Sequence, residues 1–316
     1  MPIISFQDVR KTYDHVPVLD QFNLTIEQGE FVVLLGPSGC GKTTILKLIN
    51  GLLKPDKGVI SVHSKALSEW DLIQLRRRIG YVIQQVGLLP HLTIEKNICY
   101  TLNLIKASKD DMNKRAKELI DFVGMDESYL KRYPRALSGG QQQRIGVARA
   151  LASDPDIILM DEPFGAVDEV TRRSLQDEML KIHQKLGKTI IFVTHDIEEA
   201  IKLGTRIVLL NEGRIDRDYN KKSFVLTKER SDYAEHFFGS KDFIAYLNTI
   251  SISACLNKVM DISSNHKDDY PSINGNLSIL QGIQRCIETQ HNTLCVVDDQ
   301  AHQLGYFSIN SIYHLL

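Results

Sequence analysis

The chain has 316 residues, 43% hydrophobic and 24% charged, which suits a globular protein of about two domains with a sizeable core. A formal net charge of −1 provides no overall basic field, so nucleic acid is not expected as a partner. No apolar run reaches the roughly 18 residues a membrane-spanning helix needs, so any transport across a bilayer would require other chains to form the channel. The five cysteines (Cys40, Cys99, Cys255, Cys286, Cys295) show no CxxC pairing, which points to a reduced, cytosolic chain rather than a disulfide scaffold or zinc site. The start, MPIISFQDVRKTYD, lacks the basic and then apolar regions of a signal peptide.

Residues Ile3–Val9 and Val18–Ile26 alternate like half-buried strands, and the apolar run Phe31–Leu35 reads as a buried strand feeding a glycine-rich turn. A helix is predicted from Lys42 to near Gly51, and residues 85–150 read mostly as helices. Within that stretch Ala116, Leu119, Ile120 and Val123 share one helical face, with Gly124 placed as a C-terminal cap. Asp156–Asp161 and Thr189–Thr194 are predicted strands flanking a helix whose apolar face is Leu175, Met179, Ile182 and Leu186; strand, helix, strand at this spacing implies a parallel sheet. Arg206–Leu210 and Arg214–Ile215 read as a hairpin. Asp216–Ser231 reads as a polar linker followed by one helical segment. The tail predicts a helix over Leu277–Thr289 with Ile279, Leu280, Ile283 and Ile287 on one face, then strands Leu294–Val297 and Leu304–Ile309 and a short helix to Leu316.

Gly36-Pro37-Ser38-Gly39-Cys40-Gly41-Lys42-Thr43 fits the GxxxxGK[ST] phosphate loop and lies where that loop should, between a strand and a helix. Small residues let successive main-chain N–H groups converge on phosphate oxygens, and the helix N-terminus adds partial positive charge. In this pattern Lys42 reaches the β- and γ-phosphates and Thr43 ligates Mg²⁺. Asp161 and Glu162 close an apolar strand. There Asp161 can hold Mg²⁺ through water, and Glu162 can act as the general base on the attacking water. Ser138, Gly139 and Gly140 expose main-chain N–H groups at the start of a helix with the apolar stripe Ile145, Ala148 and Leu151, a second anion-binding helix terminus. Cys40 is a small residue inside the loop. Should the helix terminus lower its pKa, a thiol reagent would block ATP hydrolysis and ATP would protect.

The phosphate loop at 36–43, Leu137-Ser138-Gly139-Gly140-Gln141 and ILMDEP at 158–163, in that order, resemble the ABC-transporter ATPase family over about residues 1–240. The resemblance implies an α/β P-loop NTPase fold: a RecA-like parallel sheet core, an antiparallel β subdomain, and a helical subdomain at about 85–150. It also implies a homodimer packed head to tail, each ATP held between the phosphate loop (Gly36–Thr43, with Thr44) of one copy and Ser138–Gln141 of the other. Position by position, Tyr13 is similar to the aromatic that stacks on adenine, although a strand-edge tyrosine is its ordinary alternative. Gln84, beside an equivalent-looking Gln85, resembles the glutamine that contacts Mg²⁺ or water; Asp168 resembles the aspartate that crosses the dimer; His195 resembles the histidine that contacts the γ-phosphate.

Single-cassette organisation and the segments RIGYVIQQVGLLPHLTIEKNI and FGAVDEVTRRSLQDEM are most similar to ATPases of osmoprotectant importers for glycine betaine, carnitine and choline. That resemblance implies separate permease subunits, a substrate-binding protein or domain, and a peripheral location on the cytoplasmic face of the membrane. A betaine-like solute such as ergothioneine, or a non-transport ABC ATPase, is the alternative. Residues 241–316, a linker helix followed by a helix-strand-strand-helix pattern, resemble a single CBS motif, which Ala254–Met260 would begin. Such motifs pair to form a cleft, so one per chain would have to pair across the dimer; a small stabilising α/β cap is the other reading.

Overall fold

A computed structural model describes residues 2–84, 87–165, 167–220, 231–238, 247–248, 250–259 and 270–309. The chain forms two compact units, Met1–His195 with Leu203–Asp218, and Asp196–Lys202 with Tyr219–Leu316.

The first unit opens with an antiparallel sheet. Strands β1 (Pro2–Tyr13) and β2 (Val16–Glu27) form a long hairpin, extended by β4 (Lys57–Val62) and β5 (Lys65–Ala66) in the order β2-β1-β4-β5. Between them in sequence lie β3 (Phe31–Leu35) and α1 (Lys42–Ile49). All five residues of β3 are buried, because helices or sheet cover both its faces, and this is why the sequence is a continuous apolar run rather than an alternating one. One apolar core unites Ile4, Phe6 and Phe22 of the antiparallel sheet, Ile45 and Ile49 of α1, and Leu34, Leu159 and Val193 of the main sheet.

That main sheet has six strands, in the order β10-β9-β3-β8-β7-β6. Its members are β6 (Ile79–Val82), β7 (Ile157–Asp161), β8 (Thr189–Thr194), β9 (Arg206–Asn211) and β10 (Arg214–Asn220) beside β3. The pairings β6/β7, β7/β8, β8/β3 and β3/β9 are parallel, as the strand-helix-strand pattern implied. Helix α7 (Glu169–Leu186) crosses from β7 to β8; it buries Leu175 and Met179, but Leu186, expected on its apolar face, is 58% exposed in the last turn. Strand β10 continues to Asn220, so the segment read as linker from Asp216 begins as sheet. Its polarity is that of an edge strand, with Asp218 paired to Arg206 of β9 at 2.6 Å.

Helix α2 (Leu72–Arg78) precedes β6, and α3 (Ile94–Ile98), α4 (Tyr100–Leu104), α5 (Lys109–Phe122) and α6 (Gly139–Leu151) lie between β6 and β7. The face Ala116, Leu119, Ile120 and Val123 is buried as expected, and Gly124 follows with φ 64°. Helices α5 and α6 cap one another. Arg144 of α6 donates to the carbonyls of Val123 and Gly124 at 3.3 and 3.1 Å, while Arg115 of α5 donates to those of Leu151 and Ala152 at 3.0 and 3.3 Å. Each guanidinium thus satisfies carbonyls left over at the other helix's C-terminus.

The second unit includes most of α8 (Ile197–Leu203), then α9 (Asp232–Phe238) and α10 (Ile252–Val259). A three-stranded sheet follows, β11 (Ser272–Asn274), β12 (Thr293–Val297) and β13 (Gln303–Ser308), with α11 (Ile279–Thr289) between β11 and β12. Strands β11 and β12 are parallel, β12 and β13 antiparallel. Ser278 caps α11 reciprocally with Gln281. The core holds Ile252, Ile273, Ile279, Cys286, Leu294, Val296 and Phe307, with Leu280 and Ile283 packed at its edge. Ile287, expected on the same face, is 69% exposed. The expected terminal helix to Leu316 and Met260 of the expected opening segment lie outside the described residues.

Candidate functional site

The turn from β3 to α1 wraps the main chain around the Lys42 side chain. Gly36 has φ 156°, and a Cβ there would sit 2.5 Å from the Leu210 carbonyl oxygen of β9. Gly41, at φ 104°, starts α1 without a side-chain cap, leaving the first N–H groups of the helix for a ligand. The Lys42 ammonium, on a residue only 5% exposed, donates to the carbonyls of Gly36 and Pro37 at 2.7 Å each. The chain therefore carries a cation and converging N–H groups in one small-residue loop, the equipment for binding an oligophosphate.

Cys40 is buried in this loop, and burial raises its pKa although Lys42 beside it acts in the opposite direction. The condition for an activated thiol, a pKa lowered by the helix terminus, is not met: desolvation outweighs the nearby positive charge.

Strand β7 delivers the acids. Thr43 Oγ1 donates to Asp161 Oδ1 at 3.0 Å, which ties the start of α1 to the C-terminal end of β7. Asp161 is buried and its pKa is raised, chiefly by that burial, with the Thr43 hydroxyl acting against the rise. Tyr81 of β6, opposite Leu159 of β7, feels the same carboxylate: its phenol is pushed well up by burial and then by the Asp161 charge. A hydroxyl and a carboxylate oxygen at this spacing form an oxygen donor pair that fits a hard cation such as Mg²⁺.

Glu162 is the hub. Its Oε2 accepts from Gln84 Nε2 at 3.1 Å, and its Oε1 lies 3.3 Å from Nδ1 of His195. Gln84 follows β6 and His195 follows β8, the two neighbours of β7 in the sheet, so strand order alone gathers these three side chains at one edge. Gln85, the neighbour that left the choice of glutamine open, lies outside the described residues.

Tyr13 ends β1 and is 42% exposed, with the Lys11 ammonium 5.9 Å from its ring centre. The hairpin it belongs to reaches the phosphate loop: a Cβ on Gly41 would lie 3.2 Å from the carbonyl oxygen of Val18 in β2. Asp56 fastens this end of β1, accepting from Lys11 Nζ at 2.8 Å and from Thr12 N and Oγ1 at 2.7 Å each.

Two predicted groups stand apart from this cluster. Ser138 and Gly139 are exposed at the start of α6, with Ser138 Oγ accepting from Gln141 N and Gln141 Oε1 accepting from Ser138 N at 3.0 Å. Asp168 caps α7 by accepting from Thr171 N at 3.0 Å, and that hydrogen bond holds its carboxyl below the usual range. No hydrogen bond among the described residues joins either group to the Gly36–Thr44 segment within one chain.

The comparisons with known proteins follow the same lines. A family model described as ABC transporter matches residues 19–165. The carnitine transport ATP-binding protein OpuCA of Listeria monocytogenes is 43% identical over 311 residues, 98% of this chain and 76% of that protein. The chain belongs to the ABC transporter family, as an ATPase. Another such ATPase, the glycine betaine/carnitine/choline transport ATP-binding protein OpuCA of Bacillus subtilis, is 41% identical over 312 residues, 98% of this chain and 79% of that protein. Among solved structures, the ATP-binding cassette MJ0796, a dimer in a post-hydrolysis state bound to ADP and Pi, superposes with a TM-score of 0.66 at 37% identity over 69% of this chain and 98% of that one. The fold and the order of motifs of this ABC ATPase therefore match the family expected from its sequence.

Sequence reasoning passed over three residues that shape the site. Tyr81 lies inside the RIGYVIQQ segment and Asp56 in a polar turn, but neither residue type signals a role there. Gln143 of α6, whose Nε2 donates to the main-chain carbonyl of Glu162 at 3.2 Å, looks like any polar residue on a helix until its partner, 19 positions away, is known.

Proposed function

We propose that this ATPase powers import of a quaternary amine of the glycine betaine, carnitine or choline type through separate permease subunits. The observation that carries the substrate class is the extent of similarity to the two OpuCA proteins, which runs through the second unit and not only through the cassette. The chain would work as a homodimer at the cytoplasmic face of the membrane, with a substrate-binding protein or domain completing the importer. Among the described residues no helix is long and apolar enough to cross a membrane, in keeping with a peripheral subunit.

In each site the loop Gly36–Thr44 and Lys42 would hold the phosphates of ATP, and the Tyr13 ring would stack on adenine. Thr43, Asp161 and Gln84 would hold Mg²⁺, which supplies charge neutralisation on the phosphate oxygens. Glu162 would take the proton of the attacking water, and His195, already beside Glu162, would orient that carboxylate and meet the γ-phosphate. Ser138–Gln141, with Ser138 and Gly139 exposed, and Asp168 would serve the site across the dimer, since within one chain no hydrogen bond among the described residues ties them to the phosphate loop. The second unit would contribute one CBS-like motif that pairs with that of the other copy.

Deleting the gene in its host and measuring uptake of radiolabelled glycine betaine, carnitine and choline at high external salt tests this reading. Loss of uptake of at least one of them, restored by the intact gene and not by Lys42→Ala, is expected. Unchanged uptake of all three would remove the quaternary-amine assignment while leaving the ATPase intact.

A further inference from the structure

Gln143 occupies the second turn of α6, five residues after Ser138, and is 3% exposed. A buried primary amide inside a helix has to be explained by what it bonds, because an unpartnered one is costly. Its Nε2 donates to the main-chain carbonyl of Glu162 at 3.2 Å, a carbonyl that Gly165 N also approaches at 3.4 Å.

Glu162 is an unusual residue to hold this way. Its φ is 45°, in the left-handed region that residues with a Cβ seldom adopt and keep only when their surroundings enforce it. Its N–H donates to the Val193 carbonyl of β8 at 3.1 Å, and its carboxylate meets Gln84 and His195. Anchoring the N–H to β8 and the carbonyl to α6 fixes the peptide planes on either side of the Cα. The direction of the Cβ, and so the reach of the carboxylate, follows from those two planes.

We propose that Gln143 is a positioning residue for ATP hydrolysis, holding the main chain of Glu162 in the conformation that aims its carboxylate at the reacting water. The inference rests on the reading of Glu162 as the general base. It also gives α6 two tasks at once. Its N-terminus carries Ser138–Gln141, and its second turn grips the main chain of Glu162 in the same chain.

The test is steady-state ATPase kinetics of the full-length chain with Gln143→Met and Gln143→Glu, which keep side-chain length but remove the amide donor. Both should lower kcat about 10- to 100-fold with KM within about twofold, as expected for misplacement of a reacting group. In the Glu162→Gln background, adding Gln143→Met should leave ATP-induced dimerisation unchanged. Wild-type kcat in both variants overturns the inference. So does a loss of folding or of ATP binding that accompanies the loss of turnover, since Gln143 would then be a packing residue of α6. If Glu162→Gln itself turns over normally, it is the assignment of the base that fails.

Discussion

Thr43 of α1 and Asp161 of β7 meet through one hydrogen bond, Oγ1 to Oδ1 at 3.0 Å, although 118 residues separate them. This contact joins the start of α1, at the end of the Gly36–Thr43 loop, to the acidic end of β7. Its carboxylate is buried at a cost, which burial registers as a raised pKa.

That cost has a testable sign. The folded chain holds the Asp161 proton more tightly than the unfolded chain does. The group therefore opposes folding at pH above its raised value, and contributes nothing below the ordinary carboxylate value of about 4. Asp161→Asn should raise the melting temperature of the nucleotide-free chain at neutral pH while lowering Mg²⁺-dependent ATP turnover about 100-fold or more. A lower melting temperature, or retained turnover across a Mg²⁺ titration, would contradict this.

Cys40 should react slowly with N-ethylmaleimide at neutral pH, because burial raises its pKa and the thiolate is the nucleophile. The rate should climb about tenfold per pH unit below that pKa, and ATP should slow it at every pH. Mass spectrometry of the modified peptide reads both effects. Fast labelling independent of pH and of ATP would rule out the buried-loop environment.

Asn97 of α3 is fully buried and organises the turn before it. Its Oδ1 accepts from Leu89 N at 2.8 Å, and its Nδ2 donates to the carbonyls of Leu89, Leu92 and Thr93 at 3.0–3.1 Å. Asn97→Ala strands several of these groups away from water and should cost about 2–4 kcal/mol of stability in urea denaturation. A loss below about 0.5 kcal/mol would mean the turn is held by other contacts.

The parts of this molecule that could be read from sequence are those in which local chemistry and global position agree. Phe31–Leu35 is apolar at every position because it is covered on both faces, and the loop that follows needs its small residues wherever it occurs. What escaped notice depends on partners remote in sequence. Strand β11 is only Ser272–Asn274, too short to show a period, and exists by pairing in parallel with Cys295–Val297. Strand β10 is legible at Arg214–Ile215, but its continuation to Asn220 is disguised by charges that an edge strand tolerates, and Arg206 across the ladder accounts for Asp218. Leu186 and Ile287 extend the periodicity of their helices past the point where the core ends, in the last turn of each. The exposed Ser138 and Gly139 are legible as a motif, but their use depends on a surface outside the single chain.

The central claim is that Glu162, held between Gln84 and His195, is the base of an ATPase. It is tested most directly by the rate of phosphate release from Glu162→Gln beside the wild type, with nucleotide binding measured in parallel. Turnover at least about 100-fold lower, with ATP binding retained and an ATP-bound dimer accumulating, is the predicted result. Turnover within about twofold of the wild type would contradict the account.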